Sequence, residues 1–252
     1  MMKKFRGLES FVYIVGDASL MFLSTLKIIF SHPPKIKHIL KQMEEIGVNA
    51  AILIAVTAFF TGGVLVVETY STFHKFNADY FIGVIVALSL ARELSPVLVA
   101  LLVISRSGSA MAANIGTMRI TEQIDALEVM ATNPLRYLIA PRLIAAMVMV
   151  PALTLVSIAS GILGGYFVAV DLYHVNGYLY WQKMVDMTDA YDVLGGVYKS
   201  IVFGILLTII SCYFGYTAKG GAEGVGKATT KAVVTSSVMV LIVDYFITEL
   251  IF

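Results

Sequence analysis

Arg92 and Glu93 stand side by side about halfway along an apolar run covering residues 80–105. A charge inside such a run is costly, and is therefore a functional hypothesis by default. Adjacent side chains on a helix point roughly 100° apart, so these two cannot readily satisfy each other. Each must face water, a second helix or a second protomer. The chemistry open to them is a guanidinium that holds an anion such as a phosphate, or a carboxylate that carries a proton. A second set of charges, Lys199 and Asp244, lies six residues in from the outer start of one apolar run and eight in from the outer end of another. At ~1.5 Å per residue both lie about 9–12 Å deep, so antiparallel neighbours bring them together. That spacing predicts a buried ion pair with a structural role, whereas Arg92 and Glu93 are read as functional.

Other familiar chemistries find little support. The four histidines, His32, His38, His74 and His174, are scattered in expected loops, each lacking a close carboxylate in sequence, and no cluster has metal-ligand spacing. The single cysteine, Cys212, excludes an internal disulfide framework and a thiolate zinc site, and reads as a small core residue. Ser107-Gly108-Ser109 lacks the strand–turn–helix setting of a nucleophile elbow. The run from Gly221 to Lys227 matches the start of a phosphate-binding loop. However, Ala228 stands where a Ser or Thr should hold Mg²⁺, and an apolar span rather than a strand precedes it. It reads as a flexible turn. No metal site, no nucleic-acid-binding pattern and no ATP site is expected in this chain.

The elements that must position the charges follow from composition. The 252 residues are 58% hydrophobic and only 14% charged, with a mean hydropathy of +0.84, which excludes a soluble domain. About 20 apolar residues cross ~30 Å of hydrocarbon, and five runs qualify: 46–69, 80–105, 143–170, 193–216 and 232–252. With the N-terminus in the cytoplasm, 14 of the 18 Lys and Arg residues are cytoplasmic, and only Lys75 and Lys183 fall outside. The positive-inside rule fixes that orientation and puts the C-terminus on the far side.

Residues 8–30 carry an apolar stripe at positions 8, 11, 12, 15, 18, 22, 26 and 29, interrupted by Glu9, Asp17, Ser24 and Lys27. The balance predicts a helix lying in the membrane interface, ended by Ser31-His32-Pro33-Pro34. No cleavable signal peptide is expected, since Asp17 interrupts the apolar stretch and no A-x-A site follows. The loop 171–192 gathers Tyr173, Tyr178, Tyr180, Trp181 and Tyr191 and reads as an aromatic belt at the outer interface. Small residues repeat at fourfold spacing in Ser105, Ser109 and Ala113, in Gly108, Ala112 and Gly116, and in Gly161 and Gly165. These stripes fit either packing within the protomer or self-association. Between the second and third runs, residues 120–131 predict an amphipathic helix. Its apolar positions are 120, 124, 127 and 131, with Glu122, Gln123, Asp125 and Glu128 between them and Asn133-Pro134 as the stop. Acidic side chains are unfavourable beside anionic headgroups, so a protein partner explains this helix better than the membrane surface.

The segment LARELSPVLVALL…SRSGSAMAANIGTMRITEQIDALEVMATNPLRYLIAPR closely resembles the MlaE-type permeases of lipid-transport ABC systems that work with MCE-domain proteins. The likeness extends through Gly161–Gly165 and KATTKAVVTSS (227–237), covering about residue 46 to the C-terminus. It implies an all-α membrane protein forming one permease domain over residues 1–252. Its parts are an interfacial helix (1–34), a five-span core (46–252) and a coupling helix (119–132). It further implies a homodimer in the bacterial inner membrane, two ATPase subunits below it that bind the ATP and Mg²⁺, and an MCE-protein ring on the periplasmic side. A small cytoplasmic accessory subunit is a further candidate partner. By position, a phospholipid cavity between protomers would be lined by Leu65, Tyr70, Phe76, Arg92, Glu93 and Leu94, where Phe76 replaces a tyrosine usual in relatives. Glu122, Gln123, Asp125, Leu127 and Glu128 would couple to the ATPase. The resemblance thus implies a transport subunit without catalytic residues or cofactor of its own. The residues alone leave two rivals, a stand-alone transporter using Arg92-Glu93 as a proton-linked pair and an intramembrane lipid-modifying enzyme.

Overall fold

The computed structural model describes residues 2–31 and 33–251, with side chains from Ile14 onward. His32, Phe252 and the side chains of Lys3, Lys4, Arg6, Leu8, Glu9, Phe11 and Val12 lie outside the described residues. The chain is an all-α membrane protein, and among the described residues there is no strand. We label the helical segments α1 (Met2–Ser31), α2 (Ile36–Phe76), α3 (Asp79–Ile120), α4 (Gln123–Val129), α5 (Leu135–Leu172), α6 (Gly177–Met187), α7 (Ala190–Tyr216) and α8 (Gly221–Ile251). Each of the five expected membrane runs, the last as far as Ile251, falls in one of α2, α3, α5, α7 and α8. The stretch Ile14–Ser31 of α1 is also long and apolar enough to cross a membrane.

Several helices contain a turn of π-helix, closed by i→i+5 hydrogen bonds. Two of these have a cause in sequence. Leu90–Leu94 in α3 ends two residues before Pro96, and Leu135–Ile139 in α5 ends two residues before Pro141. Proline has no N–H to give and crowds the carbonyl one turn earlier. The preceding turn widens, with the Ser95 amide reaching back to the Leu90 carbonyl and the Ala140 amide to that of Leu135.

The described residues pack as two compact units, each drawn from three stretches of chain. The unit comprising 44–103, 147–204 and 240–252 is built on close backbone approach. A Cβ at Gly62 of α2 would lie 1.9 Å from the Gly161 carbonyl oxygen of α5, and one at Gly164 only 2.0 Å from that of Phe59. Ser160 donates across the same seam to the Ala55 carbonyl at 2.7 Å. The stripe at Gly161 and Gly165 is therefore used inside the protomer. Against it sits a core of Val66, Ile82, Val86, Leu90 and Tyr180.

The expected aromatic loop is in part a helix. Asn176 accepts the Tyr178 and Leu179 amides and so caps α6. Tyr180 is fully buried against Gly83 and Gly165, and burial pushes its phenol up from the ordinary value. Tyr178 and Tyr191 stay exposed. The loop thus divides its rings between core and surface, because α6 turns only one of its faces inward.

The unit comprising 1–43, 104–146 and 205–239 buries Ile104, Ile115, Ile124, Leu143, Leu207 and Cys212. Ala112 and Gly116 face into it, the first against Gly215 and the second against Ala218 and Val225. The parallel stripe differs, for Ser105 is exposed and Ser109 and Ala113 are half-buried. The glycine run is not the expected flexible turn. The reversal is made at Gly220 and Gly221, whose φ values of +92° and +67° suit glycine, and helix α8 starts at Gly221. A Glu223–Lys227 pair at 2.6 Å braces its first turns.

Candidate functional site

The intramembrane charges gather along one face of α7 in two adjacent groups, Arg92 with Asp192 and Lys199 with Glu93 and Asp244. On α7, Asp192, Gly196 and Lys199 recur at helical spacing and share a face. That face meets the wide turn of α3, where a Cβ at Gly196 would lie 2.1 Å from the Ala91 carbonyl oxygen and 3.2 Å from Pro96 Cγ. Glycine lets the two helices touch there, and the charges one turn to either side fall opposite their partners. Arg92 directs Nε and Nη2 to Asp192 Oδ1 at 2.7 and 2.6 Å. Lys199 donates to Glu93 Oε2 at 2.7 Å and to Thr248 Oγ1 at 2.6 Å, and its Nζ lies 3.2 Å from Asp244 Oδ1. Asp244 and Thr248 are one turn apart on α8, and Thr248 also lies 3.2 Å from Glu93 Oε1.

Burial within the network is uneven. Lys199 is 0% exposed and the Asp192 side chain 4%, but the Arg92 and Glu93 side chains keep 41% and 39% of their surface. The α7 members anchor the charges, and the α3 members present them. Among the described residues, two cations, Arg92 and Lys199, face three carboxylates, Asp192, Glu93 and Asp244. Asp192 is held twice, because its Oδ2 accepts the Asp189 amide at 2.9 Å while the Asp192 amide returns to the Asp189 carbonyl. The Asp192 carboxylate thus supplies one half of a capping box at the start of α7.

Sequence reasoning placed Lys199 beside Asp244 and gave Arg92 and Glu93 separate partners, but it missed Asp192 and Thr248. The available signal was the D-x-x-x-G-x-x-K spacing of α7, in which a glycine one turn from each charge marks a helix contact. Gly196→Ala is expected to push α7 off α3 and destabilise by about 1–3 kcal/mol, as overpacking does. Thermal denaturation in detergent beside Gly226→Ala, where a Cβ would meet nothing within 4 Å, checks it, and equal melting of the two would deny Gly196 this role.

The expected cavity residues divide. Leu65, Tyr70 and Leu94 pack around the same buried core cluster, with Tyr70 stacked between His74 and Tyr173. Phe76 stands apart on the 3₁₀ turn that ends α2, 76% exposed. His74, expected to lack a carboxylate neighbour, contacts Asp79 at 2.9 Å because the same turn folds the chain back. His38 lies in α2 rather than in a loop.

The expected helix 120–131 is shorter than its periodicity implies. It breaks at Thr121–Glu122, where Glu122 takes a left-handed φ of 58°, and resumes as α4. Ile124 is its buried contact and Leu127 is half-buried. Two of its acids have partners within the unit: Asp125 pairs with Arg119, and Glu128 accepts from the Tyr216 hydroxyl at 3.3 Å. Glu122 and Gln123 are exposed. The feature the helical pattern did not show is an apolar tip, with Val129 89% and Met130 67% exposed.

The profile of the family described as Permease MlaE matches residues 39–250. The chain is 43% identical over 242 residues to a Probable ABC transporter permease protein of Rickettsia prowazekii, covering 96% of this chain and 93% of the relative. To one from Synechocystis it is 41% identical over 216 residues, 86% of this chain and 82% of that protein. To the Intermembrane phospholipid transport system permease protein MlaE of Haemophilus influenzae it is 39% identical over 246 residues, 96% and 93% of the two chains.

Proposed function

The chain belongs to the MlaE permease family, and from that premise we propose that it is the membrane subunit of an ATP-driven phospholipid transporter. The observation that carries the reading is the half-exposed Arg92 and Glu93 in an apolar helix, fixed from behind by buried partners. A zwitterionic headgroup offers the complementary charges, a phosphate for the guanidinium and an amine for the surplus carboxylate. The partly buried Leu65, Tyr70 and Leu94 supply apolar surface for acyl chains nearby.

A two-chain lipid is bulky for one protomer, so the working form is a homodimer with the lipid in the cleft. Exposed Ser105 and half-buried Ser109 and Ala113 form a surface on which a second copy can pack closely. Placing the basic loops in the cytoplasm puts the N-terminus inside and the C-terminus in the periplasm of a bacterial inner membrane, with α1 at the interface. The MCE-protein ring then faces the end that carries Phe76. ATP and Mg²⁺ belong to two separate ATPase subunits docked on α4, where a small accessory subunit can also bind. Residues 1–252 act together as one permease domain.

Co-purification and lipid transfer test this directly. Asp at Val129 or Met130 leaves the fold intact, since both side chains point out of the unit. It is expected to cost about 2 kcal/mol of ATPase affinity, as loss of a central apolar anchor does, or roughly thirtyfold. Glu122→Lys should weaken the same contact. ATPase recovery and ATP-driven lipid transfer between vesicles are the measurements. Unchanged values for all three variants would remove α4 as the coupling element.

The surplus carboxylate also favours a second reading, proton-linked transport without an ATPase. Lipid transfer driven by a pH gradient in the absence of ATP would select it.

A further inference from the structure

We propose that a pocket at the start of α2 and α5 binds the phosphate of an anionic membrane lipid, at a site separate from the charge network. The pocket has a volume of about 310 Å³ and is lined by Lys35, His38, Asn133, Arg136 and Tyr137 with Pro34 and Thr132. Two of these residues are permanent cations, an imidazole adds a nitrogen, and no carboxylate is among them. The size is at the lower end of the ~300–1,000 Å³ usual for ligand sites, which suits a headgroup better than a whole lipid.

Its position selects the ligand. His38 and Arg136 both lie in the first turn of a helical segment long and apolar enough to cross a membrane, Ile36–Phe76 and Leu135–Leu172 respectively. They precede the apolar runs 46–69 and 143–170 by eight and seven residues, about 10–12 Å of helix, which sets them at the cytoplasmic margin of the headgroup layer, where basic pockets between membrane helices take anionic headgroups. The pocket is also preformed. Arg136 Nη2 reaches the Pro33 carbonyl at 3.4 Å, His38 packs edge-on against Tyr137 with ring centroids 5.1 Å apart, and Asn133 accepts the Leu135 amide at 2.9 Å. Thr132 and Asn133 come from the chain that directly follows α4. A bound phosphate would thus tie the proposed ATPase-docking segment to the lipid composition of the membrane.

The same phosphate chemistry could come from a lipid or from solution, and the experiment separates the two. Full-length protein in uncharged detergent is titrated with short-chain phosphatidylglycerol, short-chain phosphatidylcholine or inorganic phosphate, with binding read by native mass spectrometry. Lys35→Gln and Arg136→Gln should each weaken phosphatidylglycerol about fivefold, and the pair roughly twentyfold or more. Arg136→Lys and the control Lys37→Gln should stay near the unaltered protein. Both neutralised side chains are exposed, and matching thermal denaturation confirms folding. Inorganic phosphate that binds as tightly as phosphatidylglycerol would overturn the lipid assignment in favour of a soluble phosphate. Equal phosphatidylglycerol binding by all variants would overturn the site. Unchanged lipid binding with loss of a co-purifying protein would overturn it in favour of an acidic protein partner.

Discussion

Lys199→Met is expected to destabilise the protein in detergent by about 3–5 kcal/mol, the usual result of removing one partner from a buried ion pair. The ammonium is 0% exposed and lies 2.7 Å from Glu93 and 3.2 Å from Asp244. Without it two carboxylates face each other across the space it filled, and the Thr248 hydroxyl has only one proton to offer them. Neutralising the whole group in Lys199→Met, Glu93→Gln, Asp244→Asn removes the repulsion together with the attraction. The triple variant should therefore recover most of the loss. Thermal denaturation of the single and combined variants decides the matter. Additive losses, with the triple variant worst, would show that these residues do not interact.

Arg92→Glu should cost a similar 3–5 kcal/mol. The structure places the new carboxylate against Asp192, which is 3% exposed and already fixed by the Asp189 amide. Arg92 is thereby expected to matter to the fold as well as to the lipid. The exchange Arg92→Asp with Asp192→Arg restores one charge of each sign and should regain much of the stability. It should still fall short by roughly 1 kcal/mol, because the exchange forfeits the cap of α7. If the exchanged protein melts no higher than Arg92→Glu, the contact contributes little. Lipid binding is better probed with Arg92→Lys, which keeps the charge opposite Asp192 while giving up the fork of two N–H groups. Bound phospholipid should fall in that variant at nearly unchanged stability.

Much of the architecture was legible because membrane spans announce themselves by composition over long windows. Depth along a helix was legible as well, which is how Lys199 and Asp244 could be matched. Azimuth was not. The sequence could say that Arg92 and Glu93 need different partners, but naming Asp192 required knowing which face of α7 meets α3. That face is set by Gly196 and by the proline-induced turn, neither of which changes hydropathy. The break in the expected helix 120–131 was hidden for a related reason. Apolar residues at positions 120, 124, 127 and 131 fit one helix, yet a left-handed φ at Glu122 breaks it. Periodicity registers which residues are apolar, and it does not register a single reversed torsion.

The wide turn at Leu90–Leu94 bears on how this protein can change over evolutionary time. A π turn holds one more residue than the α turn it replaces, and such turns often stand at functional sites. Deleting a single residue there would let an ordinary i→i+4 closure form. The flanking helices would keep their faces, because the wide turn and the ordinary one each make about one full rotation, but the side chains inside the turn would be re-aimed. Chain length at this point is therefore a variable separate from residue identity. A homologue could keep both the arginine and the glutamate, yet aim them elsewhere by losing one neighbour, and an alignment would score that change as a lone gap. In comparing such permeases, a gap between Ser89 and Pro96 carries more information than most substitutions around it.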